Sequence, residues 1–192
     1  MIPSPSKEAP AAGRTTTLSE VVAGPVHRET TADQNVDVRV RFSIQGGLRD
    51  AYDRSCWQTA YAEHDTLLRI IFHAGIYRKA GGVLDRAVVK KTKFVKKGKL
   101  YWTRNPDLTD NTANRIWSFV VDEDGAARVH DKEEDVKDTL FTFDRTLTIP
   151  AGSLKKGTNT LFVKASARWF RHTYAGSGSL SGSSRQFDVA IL

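Results

Sequence analysis

The sequence predicts an all-β fold, an antiparallel β-sandwich of immunoglobulin-like or jelly-roll type with one short helical insertion, and three observations point to it. Val36, Val38, Val40, Phe42 and Ile44 alternate strictly with Asp37, Arg39, Arg41 and Ser43 before Gln45-Gly46-Gly47. A period of two sets one side of a strand against a core and the other toward water or a partner, as antiparallel sheets require. Short β-rich runs then succeed one another along the rest of the chain, divided by turn chemistry such as Asp122-Glu123-Asp124-Gly125. With 192 residues, 40% of them hydrophobic and 27% charged, there is room for one domain with a buried core.

In chain order, residues 1–35 carry Pro3, Pro5, Pro10 and Pro25, and their apolar content is confined to positions such as Leu18, Val21, Val22 and Val26. This composition predicts a flexible N-terminal arm that orders only against another surface, with the sandwich occupying 36–192. After the strand at 36–44, the stretch from Asp50 to His64 repeats Tyr52, Cys56 and Ala60 at a spacing of four, which predicts a short helical connection. Further strands are expected at Leu67–Ala74, Ala87–Val95, Leu100–Arg104, Arg115–Val121, Ala126–His130, Leu140–Ile149, Thr160–Phe170 and Gln186–Ile191. Lys96-Lys97-Gly98-Lys99 reads as a hairpin turn, and Gly176 to Ser184 as a flexible loop.

Residues 147–163 carry Pro150, Leu154, Gly157, Asn159 and Leu161; in the sandwich turn to which this pattern is similar, the Pro ends a strand, the Leu tucks under the loop, the Gly takes a positive φ and the Asn ties the loop. The pattern resembles a turn of immunoglobulin-like and galactose-binding-like β-sandwiches. That resemblance implies a sandwich and leaves open what is bound, since the fold carries many unrelated functions.

Arg69 and His73 interrupt the longest apolar runs, so no transmembrane helix is expected. Residues 1–13 lack the apolar core of a signal peptide, an expectation of a cytoplasmic protein or of signal-independent export. The single Cys56 makes no internal disulfide and agrees with a reducing compartment. As a nucleophile Cys56 would need His64 or His73 as base, but no local signature surrounds it, and packing is the simpler role. His27, His64, His73, His130 and His172 are too scattered for zinc, and Gly46-Gly47 and Gly81-Gly82 open no phosphate loop. No catalytic residue, metal or cofactor is therefore assigned.

Charge is the strongest asymmetry in a chain of net charge +7. From Arg78 to Arg104 ten cations face the single acid Asp85, while Asp122 to Asp138 holds eight acids against three cations. We expect a binding or assembly module whose basic hairpin, Lys90, Lys91, Lys93, Lys96, Lys97 and Lys99 with Tyr101, Trp102 and Arg104, docks an acidic protein surface. That surface belongs to another protein or to a second copy, whose counter-surface would be Asp122, Glu123, Asp124, Glu133, Glu134 and Asp135. The alternative is weakly sequence-selective nucleic-acid binding by the same lysines with Tyr101 and Trp102. An enzyme using Cys56 comes third, and fourth a carbohydrate-binding module stacking Phe170, His172 and Tyr174 on sugar rings. The simplest alternative to all of these is an edge hairpin whose lysines prevent pairing with other sheets.

Overall fold

A computed structural model describes residues 15–49, 66–82, 84–103, 115–123, 125–130, 133–171 and 177–192. Its strands are β1 (Thr17–Leu18), β2 (Val22–Pro25), β3 (Glu29–Thr30), β4 (Val36–Gln45), β5 (Thr66–Arg78), β6 (Arg86–Thr103), β7 (Arg115–Val121) and β8 (Ala127–His130). A helix α1 (Glu133–Phe141) follows, then β9 (Thr142–Ile149), β10 (Gly157–Arg171), β11 (Ser177–Ser183) and β12 (Phe187–Ile191). Among the described residues they form an antiparallel sandwich that includes the short helix α1. The smaller sheet is centred on β4, which pairs with β1 and β2 on one edge and with β9 on the other. The larger runs β12-β10-β5-β6-β7-β8, with β11 beside the far half of β10 and β3 parallel to β12. No helix among the described residues is long and apolar enough to cross a membrane.

The alternation of β4 does what its period requires. Val36, Val38, Val40, Phe42 and Ile44 are buried, and the residues between them are exposed or half-buried. Opposite them the larger sheet turns in Leu68, Ile70, Phe72, Ala74 and Ile76 from β5, and Leu161, Val163, Ala165 and Ala167 from β10. Aromatic rings join the layers. Phe42 stacks on its cross-strand partner Phe143 at 4.8 Å, Phe72 of the opposite sheet meets the edge of Phe42 at 5.7 Å, and Phe94 meets Phe143 at 5.0 Å.

The expected turn near residue 157 has the geometry its residues require. Gly157 adopts φ 94°, a region that L side chains avoid. The Asn159 side chain accepts from the Lys155 amide at 3.1 Å and donates to the Lys155 carbonyl at 2.7 Å, and Leu154 is buried beneath the loop. The turn at Asp122–Gly125 is likewise closed by the Gly125 amide donating to the Asp122 carbonyl at 2.9 Å.

Several expectations are corrected. Lys96-Lys97-Gly98-Lys99 is no turn: β6 runs unbroken from Arg86 to Thr103 between β5 and β7. The Gly/Ser stretch is strand β11, with Gly178, Leu180 and Gly182 opposite Trp169, Ala167 and Ala165 and the serines in the alternate positions. Leu140 and Phe141 end a helix and do not begin a strand. Residues 15–35, expected within a flexible arm, carry β1, β2 and β3 against β4 and β12, with Val21 buried. The helical connection at 50–64 and the nucleophile candidate Cys56 lie outside the described residues.

Candidate functional site

A strand's alternation distributes the lysines of β6 between two faces. Phe94, Lys96 and Gly98 point inward, whereas Lys93 and Lys97 are exposed on the outer face, and Lys90 and Lys91 are exposed further up the strand. The expected basic hairpin is therefore half of an outer sheet face and half of an interior. The side chains of Lys99, Tyr101 and Trp102, and all of Arg104, lie outside what the structure describes.

Lys96 is the principal correction. It is 8% exposed, and its ammonium donates to the Thr139 carbonyl at 2.7 Å and to the Thr142 carbonyl. These carbonyls lie at the C-terminal end of α1, where acceptors lack intrahelical partners and where the helix has no basic residue in its own last turn. Burial lowers the Lys96 pKa to about 8; Arg145 and Arg128 lower it further, while Asp122 and Asp144 oppose them. Lys96 thus caps a helix from within the fold.

The inner side of β6 borders a polar cleft of about 650 Å³ whose walls include Arg41, Arg49, Arg128, Arg145 and Lys96 together with Asp122, Asp138 and Asp144. Its charges are largely paired within the molecule. Arg49 holds Asp138 at 2.5 Å, Arg128 lies 3.5 Å from Asp122, and Arg39 grips Asp144 through two nitrogens at 3.1 and 3.0 Å. Hydrogen bonding to Arg39 holds the Asp144 carboxyl below its ordinary pKa. The expected acidic counter-surface is correspondingly broken up. Asp122 is only 11% exposed and faces Arg128, Glu123 stands exposed on the turn, Asp124 is outside the described residues, and Glu133, Glu134 and Asp135 open α1.

The outer face of the larger sheet differs in kind. Register sets Lys93 opposite His73, His73 opposite Ser166 and Ser166 opposite Ser181. The next row is Val95, Ile71, Arg168 and Ser179, and the one after it Lys97, Arg69 and Phe170. Arg69 and Lys97 are thus like charges directly across a strand pair, where Cβ atoms stand about 5 Å apart. Among the described residues no carboxylate forms an ion pair with Arg69, Lys93, Lys97 or Arg168; the one acid bridged at this face is Asp85, 2.8 Å from Lys164. Neighbouring strands are about 4.8 Å apart, so Arg69 and Lys97 lie within one Debye length, about 8 Å at physiological salt, and their potentials add. His73 reports that field: burial lowers its pKa first, followed by Lys91, Lys93 and Arg168.

Within the cationic ring Ile71 is 9% exposed and Val95 half-buried, and Phe170 is 37% exposed with the Arg168 guanidinium 5.5 Å from its ring centre. Sequence reasoning found Lys93 and Lys97 but missed Arg69, Arg168 and His73. Their signal was a basic residue in the outward slot of an apolar strand, as in Leu68-Arg69-Ile70 and Ala167-Arg168-Trp169. His172 and Tyr174, the sugar-stacking candidates beside Phe170, lie outside the described residues.

No protein-family model matches the chain, and no curated protein matches it. Among solved structures the chain is similar to AggA, the major subunit of aggregative adherence fimbriae type I from Escherichia coli. The identity is 9% and the TM-score 0.34, over 94% of this chain and 96% of that one, a likeness that carries no argument about function.

Proposed function

We propose that the protein is a non-catalytic binding and assembly module that docks an acidic protein surface on the outer face of its larger sheet, centred on Arg69, Lys93, Lys97 and Arg168. The observation that carries this reading is the Arg69–Lys97 pairing. Like charges directly opposite cost stability, and among the described residues no carboxylate pairs with either of them, the acid of this face, Asp85, being bridged to Lys164. An acidic partner turns that repulsion into attraction and speeds encounter. The small apolar centre at Ile71 and Val95 inside a charged rim has the anatomy of a protein-binding patch.

Binding of poly-L-glutamate and of a mixed single-stranded oligonucleotide, measured at increasing salt, tests it. The expected result is salt-sensitive binding of the polyglutamate that falls at least about tenfold in the Lys93→Glu, Lys97→Glu double variant. Polyglutamate binding that ignores the double variant overturns the proposal, and so does much tighter binding of the oligonucleotide.

A further inference from the structure

The docking reading leaves the partner open, and the placement of α1 bears on it. Gly98 lies between Lys97 and Lys99 on β6, and a Cβ there would collide with Leu140 of α1. The helix therefore lies against the inner side of β6, on the opposite side of the sheet from Lys93 and Lys97. Within α1, Val136 and Leu140 are fully buried, while Asp135 is exposed and the Asp138 side chain, bridged on one side by Arg49, is still 68% exposed. These acids thus face away from the larger sheet. The helix reads Glu133-Glu134-Asp135-Val136-Lys137-Asp138, four acids against one lysine. One molecule therefore carries cations on one side of its larger sheet and an acidic helix flank on the other.

We infer that the acidic partner is a second copy of this chain, stacked head to tail with the outer flank of its α1 on the cationic face of its neighbour. The inference rests on the docking reading above and adds the occupant and its orientation. Symmetry excludes a closed pair. A two-fold axis that brought the cationic face of each copy onto the helix flank of the other would have to run along the sheet normal. Such an axis sets the copies side by side, so neither contact forms. The contact is heterologous: each added copy leaves one cationic face and one acidic flank free, and growth continues until a ring closes or a filament extends.

Light scattering after size exclusion tests this with the whole chain and two surface variants, Lys93→Gln with Lys97→Gln, and Asp135→Asn with Asp138→Asn. The wild type is expected to gain mass with concentration beyond a dimer and to lose it in high salt. Each variant alone is expected to stay monomeric. An equimolar mixture, in which one intact face meets one intact flank, is expected to give a one-to-one complex and nothing larger. That recovery also shows that both variants fold. A wild type that stops at a dimer, a mixture that stays monomeric, or a wild type that is monomeric throughout overturns the inference. If such a monomeric wild type still binds polyglutamate through Lys93 and Lys97, the docking reading stands and only the self-partner falls.

Discussion

The Lys96 ammonium donates to the carbonyl of Thr139 at 2.7 Å, so a side chain of β6 closes the end of α1. A second bond reaches the carbonyl of Thr142, where the helix becomes β9. Replacing Lys96 by Met keeps most of the volume and removes both donors. Two carbonyls without partners predict a loss of about 1–3 kcal/mol in urea unfolding at neutral pH.

The same lysine carries a pH signature. Its pKa is about 8 in the folded protein against the ordinary lysine value of 10.5, so between these values the unfolded chain holds a proton that the folded chain has released. Stability from this group therefore rises with pH through that window, by at most about 1.4 kcal/mol per pH unit. The neutral amine keeps two N–H donors for its two carbonyls. Unfolding midpoints followed from pH 7 to pH 10 should rise relative to those of Lys96→Met; parallel curves would contradict the assignment.

Gly98 permits the close approach of Leu140. Gly98→Val places a branched side chain in the volume Leu140 occupies, and overpacking of this kind costs about 1–3 kcal/mol. Hydrogen exchange should show the loss as weakened protection of α1, with β4 and β10 unchanged.

Phe143 touches Phe42, Phe72 and Phe94 and is fully buried. Phe143→Ala should cost about 3–5 kcal/mol by denaturant unfolding, a larger effect than any single change on the outer face.

On that face the signs reverse. Lys97→Glu converts a like-charge pair with Arg69 into an opposite-charge pair, which should stabilise the isolated fold by roughly 0.2–1 kcal/mol while weakening partner docking. Thermal unfolding and polyglutamate binding, measured on the same preparation, should move in opposite directions. A variant that loses both would show that Lys97 holds the fold and not a partner.

The features read correctly from the sequence are those whose cause is local. The alternation of β4 and the Pro150-to-Leu161 turn each declare themselves within a few residues. The continuity of β6 does not, because Lys96 and Gly98 occupy their positions for the sake of Thr139 and Leu140, far along the chain. Taken alone, Lys-Lys-Gly-Lys has the composition of a turn. Strand β11 was hidden for another reason: its inward positions are Gly178, Leu180 and Gly182, so its period of two carries almost no hydrophobic contrast. The candidate site was half legible. Lys93 and Lys97 stood in an obvious basic run, but Arg69, His73 and Arg168 join them only through the pairing of β5 with β6 and β10.

Mapping backbone amide shifts in the isotope-labelled protein during titration with poly-L-glutamate tests the central claim most directly. The account predicts that the largest changes fall on Arg69, Ile71, His73, Lys93, Lys97 and Arg168 and fade as salt is added. Changes centred instead on the cleft residues Arg41, Arg128 and Arg145, with the outer face unmoved, would contradict it.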